Sequence, residues 1–221
     1  PRDKSKDTDH SSWGTAFNPD SIIIALEKLD LKNVNFEYQH NGHISKEGRF
    51  DERHIVAKDI QLDLEALSVQ GDTITADITN LSAKERSGLN LKKLTAHVTF
   101  NQQLTELNNL YLETNRSVVR DYYSMRYRNF HDFNEYINNV TMYARFKNSH
   151  IDKRDIAFFA GNISQLPLLT KVDGKAEGTV DNIYVSKIHA VAPNIDYRGS
   201  GRIIGLPAMQ QPWPKCTKFV S

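Results

Sequence analysis

The sequence predicts a mainly β protein: a curved antiparallel β-sheet that forms a half-pipe, with one or two short helices. Three observations predict this fold. Apolar and polar residues alternate over several stretches, β-branched residues are frequent on the polar side of these stretches, and a three-residue step recurs within the alternation. The 221 residues contain one cysteine, which excludes internal disulfides and multi-cysteine metal sites.

Composition divides the chain into three parts. Residues 1–20 are polar and charged without any period, so we expect a flexible lead-in. Residues 21–206 carry the β pattern and form the folded segment. Residues 207–221 place Pro212 and Pro214 close together and continue no strand, so we expect an irregular tail, non-native or unfolded.

Four alternating stretches supply the clearest strands, and each places its apolar residues on one face because the side-chain period of a strand is two. We expect these residues to line one continuous apolar face: Ile60, Leu62, Leu64, Ile74, Ala76, Ile78, Ala96, Val98, Phe100, Met142, Ala144 and Phe146.

A three-residue step interrupts the alternation at four places. Such a step turns the next side chain to the opposite face unless an extra residue is accommodated in a β-bulge. Bulges strengthen the twist and curl a sheet, so long, bent strands are predicted at Leu29-Leu31-Val34, Leu62-Leu64-Leu67, Leu89-Leu91-Leu94 and Ile183-Val185-Ile188.

The connections include two hairpin signals and two helix signals. One hairpin signal is the pair Asn41-Gly42, which follows Phe36 and Tyr38. Gly71 and Asp72 separate two alternating runs, as in a tight turn. Apolar residues at helical spacing predict a short amphipathic helix over residues 130–140. A second short helix is predicted from Asp155 to Ala160, with Asp155 as its N-cap.

The pattern favours no catalytic chemistry. The eight histidines are scattered without metal-site spacing, and the carboxylates of the strands lie on their solvent side. We therefore expect no enzyme activity, no cofactor and no metal; a hydrolase acting on polysaccharide is the enzyme alternative. The 28 Lys and Arg residues nearly balance the 27 Asp and Glu residues, which gives no global field for nucleic acid.

One basic and aromatic cluster has two interpretations. Its arginines can hold phosphate, of a lipid headgroup or of a nucleic acid, while tyrosines stack. Alternatively, the segment is an amphipathic connector whose arginines extend along the surface or pair with Asp121. The candidate headgroup contacts are Arg116, Arg120, Arg126 and Arg128, interspersed with Tyr122, Tyr123 and Tyr127.

The apolar face itself must be covered by a second sheet, a helix, a partner or lipid. Two arrangements stay open on the sequence alone. One is a closed β-sandwich, whose face is an ordinary core. The other is an open trough that carries acyl chains, and the two short predicted helices would leave much of such a face uncovered.

Several ordered motifs resemble AsmA-like proteins, and more specifically the N-terminal periplasmic part of the TamB translocation-and-assembly-module family of Bacteroidetes-type bacteria. They are Leu29-x-Leu31-Lys32-Asn33-Val34-x-Phe36-x-Tyr38, Gly71-Asp72-Thr73-Ile74, Leu110-x-Leu112-x-Thr114-x-Arg116-Ser117, Asp155-Ile156-Ala157-Phe158 and Gly174-x-x-x-Gly178.

The resemblance implies a cell-envelope protein of the periplasm. It would be held in the inner membrane by an anchor helix that is absent from this chain, with a taco-like repeating β-groove as its body. The implied function is phospholipid transport between the inner and outer membranes. The alternative is a scaffold that assists outer-membrane β-barrel assembly by β-augmentation. The family offers no catalytic residues.

Overall fold

A computed structural model of the chain describes residues 22–39, 48, 50–51, 54–158 and 169–205. They form one ten-stranded antiparallel sheet in which each strand pairs with its neighbours in sequence, so β1 and β10 are the two edges. The sheet is curved and open, and it confirms the predicted mainly β half-pipe. The predicted lead-in 1–20, the hairpin signal at residues 41–42 and the predicted tail 207–221 lie outside the described residues.

The strands are long for a domain of this size. They are β1 (Ile24–Gln39), β2 (His54–Gln70), β3 (Thr73–Glu85), β4 (Asn90–Phe100), β5 (Leu104–Glu113), β6 (Val118–Arg126), β7 (Thr141–Ile151), β8 (Leu169–Thr179), β9 (Asn182–Ala192) and β10 (Ile195–Ile204).

Bulges occur at all four predicted three-residue steps. Asn33, Ala66 and Lys187 have φ angles of 57°, 50° and 51° inside three of the steps, which is the conformation of a residue that a bulge accommodates. In the fourth, Leu94 and Leu91 pair with Leu81 and Ala83, so three residues of β4 lie opposite two of β3. The apolar side chains on both sides of each bulge therefore stay on one face.

The predicted helix over residues 130–140 is confirmed as two short pieces: a 3-10 helix (Phe130–Glu135) followed by α1 (Tyr136–Asn139). The other helix prediction was wrong in its bounds. The helix α2 spans Lys153–Ile156, and its N-cap is Asp152, whose carboxylate accepts a hydrogen bond from the main-chain N–H of Arg154. The predicted helix end at residues 159–162 lies outside the described residues.

The two helical segments lie at opposite ends of the sheet. We call the end that carries the β4–β5 and β6–β7 connections the first end, and it holds the 3-10 helix and α1. The second end carries the β3–β4 and β5–β6 connections and holds α2. There the N–H of Phe50, before β2, donates to the carbonyl of Phe158, after β7, at 2.9 Å. This hydrogen bond joins connections from strands five positions apart in the sheet.

Candidate functional site

The apolar face is built from rows of residues that lie opposite each other on neighbouring strands, because directly paired residues share a face. The first row crosses all ten strands: Ile24, Val69, Ile74, Phe100, Thr105, Met125, Met142, Gly178, Ile183 and Ile203.

Two further rows run beside the first. The second row extends from β3 to β10 through Ala76, Val98, Leu107, Tyr123, Ala144, Ala176, Val185 and Gly201. The third extends from β1 to β6 through Leu31, Leu62, Leu81, Leu94, Leu112 and Val119. The apolar surface is therefore continuous both across and along the strands.

The residues predicted to line this face come together on it. Ile74, Phe100 and Met142 belong to the first row, Ala76, Val98 and Ala144 to the second, and Leu62 to the third; Leu64, Ile78 and Ala96 are cross-strand partners between the rows. Ile60 and Phe146 continue the alternation of β2 and β7, opposite Val34 and Gly174 respectively.

Most of the face is half-buried, while its centre and Ala76 of the second row are sealed. Leu94, Ala96 and Leu110 are buried and form the core cluster. The larger predicted residues around them, among them Leu62, Val98 and Phe100, are half-buried. The described strands make one layer with no second sheet packed on it. Within that part of the chain, the arrangement is the open trough and not the closed β-sandwich.

Aromatic side chains cover the first end of the apolar face. The ring of Phe130 stacks on Phe100 with centroids 5.7 Å apart. The hydroxyl of Tyr136 lies 3.2 Å from the sulfur of Met142. Burial raises the pKa of the Tyr123 hydroxyl far above its usual value, and the neighbouring Tyr136 raises it further. The 3-10 helix and α1 therefore pack directly on the first and second rows.

The opposite face of the sheet is polar. Asp77 lies 2.8 Å from the imidazole of His97 on the adjacent strand. The guanidinium of Arg145 lies over the ring of Tyr122, 4.7 Å from its centroid, and binds Asp121 at 3.3 Å. These neighbouring charges are matched across strands, as expected for a solvated face.

The four candidate headgroup arginines do not form one cluster. Arg120 lies opposite Tyr111 on the polar face and donates to the carbonyl of Asn148. Arg116 lies at the second end, with its guanidinium 3.6 Å from Asp155. Arg126 and Arg128 lie at the first end, about 30 Å from Arg116 at roughly 3.3 Å per strand residue. Asp121, the suggested partner of these arginines, binds Arg145 instead.

Salt bridges hold Asp132 and Asp152 in their charged form at the two ends of the sheet. The Arg128 guanidinium lowers the pKa of the buried Asp132 carboxyl. The Arg154 guanidinium lowers the pKa of the buried Asp152 carboxyl to about 2. Each pair is local in sequence and stabilises the start of its own helical segment.

Sequence reasoning missed the part of the face contributed by β5, β6 and β9. Leu107, Tyr123 and Val185 belong to the second row. A bulge at Asn109, with φ 53°, breaks the simple alternation after Leu107, whereas the step Ile183-Val185-Ile188 predicts the bulge of β9 but not which face Val185 joins. The three-residue step from Leu107 to Leu110 was a usable signal, because it matches the steps recognised elsewhere in the chain.

Comparison with known proteins identifies no relative. No protein-family model matches the chain, and neither a curated protein nor a solved structure matches it significantly.

Across the described ranges, no three His, Cys, Asp or Glu side chains converge as metal ligands do. Among the helices of those ranges, none is long and apolar enough to cross a bilayer.

Proposed function

We propose that this chain is a segment of a periplasmic AsmA/TamB-like envelope protein, and that its apolar face binds the acyl chains of phospholipids. One observation carries the proposal. The first row crosses all ten strands, with Thr105 as a polar member, and no second sheet lies over it in the described part of the chain, although the 3-10 helix and α1 cover its middle at Phe100 and Met142. Exposed apolar surface of this extent is typical of a binding site.

The mechanism is passive. Acyl chains lie along the apolar rows while headgroups stay in water at the open side of the half-pipe. Each methylene removed from water contributes about 0.8 kcal/mol, so a lipid with two chains is held without specific polar contacts. Affinity then depends on the continuity of the apolar surface, which suits transport between the two membranes better than tight binding at one position.

Photo-crosslinking tests this proposal with a control one residue away. A crosslinker at Val98 lies in the second apolar row, whereas one at Thr99 lies opposite Glu106 on the polar face. In protein purified from a bacterial periplasm, mass spectrometry should find phospholipid adducts at Val98 and few at Thr99. Equal adducts at both positions, or adducts at neither, would contradict the proposal.

A second function is favoured by the edge strand β1, namely a scaffold for outer-membrane proteins by strand addition. An unpaired edge is a template for a further strand, and proteins usually protect it with charge or proline. β1 carries charged residues, namely Glu27, Lys28, Asp30, Lys32 and Glu37, but it also exposes a row of large apolar side chains: Ile24, Leu26, Leu31, Val34, Phe36 and Tyr38. Strand addition here would extend both the sheet and its apolar face.

Hydrogen exchange distinguishes this function from lipid binding. An unfolded β-barrel precursor that adds to the sheet should slow amide exchange along β1 and leave β5, a central strand, unchanged. Leu31→Lys and Val34→Lys should abolish that protection, because they place charges inside the exposed apolar row of this edge. Protection that survives both substitutions would exclude β1 as the site.

A further inference from the structure

A patch of exposed apolar side chains lies at the first end of the sheet. Phe130, Phe133 and Ile137 are 43%, 38% and 41% exposed, and they follow each other at helical spacing on the 3-10 helix and α1. We call these three residues the end patch. Apolar side chains of this size on an outward helical face favour contact with something other than water.

The end patch is held rigidly by the aromatic side chains beneath it. The ring of Phe133 packs edge-on against Tyr127 with centroids 4.7 Å apart, and Phe130 stacks on Phe100. Asp132, between the two phenylalanines, is buried and accepts hydrogen bonds from Arg128. The exposed edges of the rings are therefore fixed in place and cannot turn inward to hide from water.

The size of the end patch argues against a protein partner. With about 200 Å² of surface for each large apolar side chain, its three residues expose roughly 240 Å². A stable protein interface buries about 800 Å² on each partner, including one between two copies of this chain. A lipid surface needs no such area, because a few inserted side chains already give weak, reversible binding.

The charged residues near the end patch favour a lipid surface that carries no net charge. Arg128 is paired with Asp132. Arg126 and Glu135 are both exposed at the first end, and their opposite charges cancel in the local net charge. Among the described residues around the end patch, positive charge is not in excess, so the apolar side chains must supply the binding.

We propose that the end patch docks the first end of the half-pipe on the surface of a phospholipid bilayer. Its rings insert between the headgroups, and the stack of Phe130 on Phe100 connects the inserted residues with the first apolar row. An acyl chain that leaves the bilayer then meets apolar surface without crossing water. This inference rests on the proposed lipid function and specifies where lipid enters.

Fluorescence of a labelled side chain tests the contact in the folded protein. The chain has one cysteine, so Cys216→Ser combined with Ile137→Cys allows a single environment-sensitive dye in the end patch. The matched control is Ile195→Cys, because Ile195 is 55% exposed at the second end. Phosphatidylcholine vesicles should raise the emission of the dye at position 137 by about twofold or more, with a blue shift, and leave position 195 unchanged.

Vesicle flotation supplies the second measurement. Phe130→Ser with Phe133→Ser should reduce the vesicle-bound fraction by about tenfold, whereas Phe36→Ser, a more exposed phenylalanine at the second end, should not. Binding should change less than about twofold between about 50 and 500 mM salt, and vesicles containing phosphatidylglycerol should behave like phosphatidylcholine alone.

Three results would overturn the docking. The first is a dye response at both positions 137 and 195, or at neither. The second is a loss of vesicle binding with Phe36→Ser that equals the loss with the double serine variant. The third is a dimer, seen in sedimentation, that the Phe130 and Phe133 substitutions dissociate. Two variants distinguish a failure of this docking from a failure of the proposed lipid function. Val98→Glu should abolish loading with phospholipid but keep vesicle binding, whereas the double serine variant should lose vesicle binding but still load monomeric lysophospholipid.

Discussion

The carboxylate of Asp155 accepts a hydrogen bond from the hydroxyl of Thr114 at 2.5 Å, and this contact fastens α2 to the β5–β6 connection. The same oxygen accepts the main-chain N–H of Arg116 at 2.9 Å. Asp155 is buried, so this oxygen is satisfied by protein donors and not by water. The main-chain N–H of Asp152 also donates to the Ser117 hydroxyl at 3.0 Å, so contacts of both Asp155 and Asp152 with the β5–β6 connection position the helix at the second end.

Removal of this carboxylate should destabilise the fold. Asp155→Ala leaves the Thr114 hydroxyl and the Arg116 N–H without their buried acceptor, and we expect a loss of about 2–3 kcal/mol in the free energy of unfolding. Asp155→Asn keeps an acceptor in the same place and should lose about 1 kcal/mol. Urea denaturation measures both, and equal losses for the two variants would show that the hydrogen bonds are not the cause.

The sequence located the second helix only approximately, for a reason visible in these contacts. Asp152 and Asp155 are both suitable N-cap residues, three positions apart, and local pattern does not choose between them. Tertiary structure chooses: Asp155 is used by the β5–β6 connection, which is 39 to 41 residues away in sequence, and Asp152 caps the helix.

The strands and their bulges were more predictable because their signals are local. The three-residue step places an extra residue at Asn33, Ala66 and Lys187, and the bulges follow directly. The position of Arg120 and Arg126 on the polar face is also predictable from the sequence, because they alternate with Val119 and Met125 on β6. What the sequence could not show is which distant charges meet, such as Asp121 with Arg145.

Glycine at position 174 should be indispensable at the bulge of β8, where its pairing with β9 shifts register. Its φ angle is 132°, and an added Cβ would lie 2.8 Å from the carbonyl oxygen of Lys187. Gly174→Ala should therefore cost about 2–3 kcal/mol. The control is Gly71→Ala in the β2–β3 turn, where φ is 55° and no atom lies within 4 Å of an added Cβ. That change should cost about 1 kcal/mol in a thermal or urea titration, from the left-handed conformation alone.

Stability should fall in acid as Asp152 loses its charge. Its pKa is about 2 in the folded protein against an ordinary 3.8, because the Arg154 guanidinium favours the carboxylate. A lowered folded-state pKa stabilises the protein above about pH 4, and this contribution disappears as the pH falls toward about 2. After allowance for the solvent around Arg154, the contribution is about 1 kcal/mol.

The measurement for this acid effect is the free energy of unfolding in urea at several values between about pH 5 and pH 2. Asp152→Asn and Arg154→Gln should each make that profile flatter, by similar amounts, since each removes the same charge interaction. A profile that keeps its slope in both variants would assign the acid sensitivity to other carboxyls, such as Asp132, whose pKa Arg128 also lowers.

Substitutions on the apolar face should separate its open part from its sealed centre. Val98 is half-buried, so the carboxylate of Val98→Glu reaches water along the open side, and we expect cooperative unfolding with a loss of about 1–2 kcal/mol. Leu62→Glu should give the same cooperative unfolding and a similar loss of stability, because Leu62 is also half-buried. Ala96 is 6% exposed within the core cluster, so Ala96→Glu buries an unpaired charge and should cost about 4 kcal/mol or more.

The same variants connect the face with its function, because a charge interrupts the apolar path that lipid would follow. Val98→Glu should keep the fold and lose co-purifying phospholipid, measured by mass spectrometry of the extracted lipids. Ser186→Glu is the matched control, since Ser186 lies on the polar face opposite Lys175 and should keep both the fold and the lipid. If Val98→Glu instead unfolds the protein as Ala96→Glu does, the face is a sealed core in the full chain, and the lipid groove is the wrong interpretation.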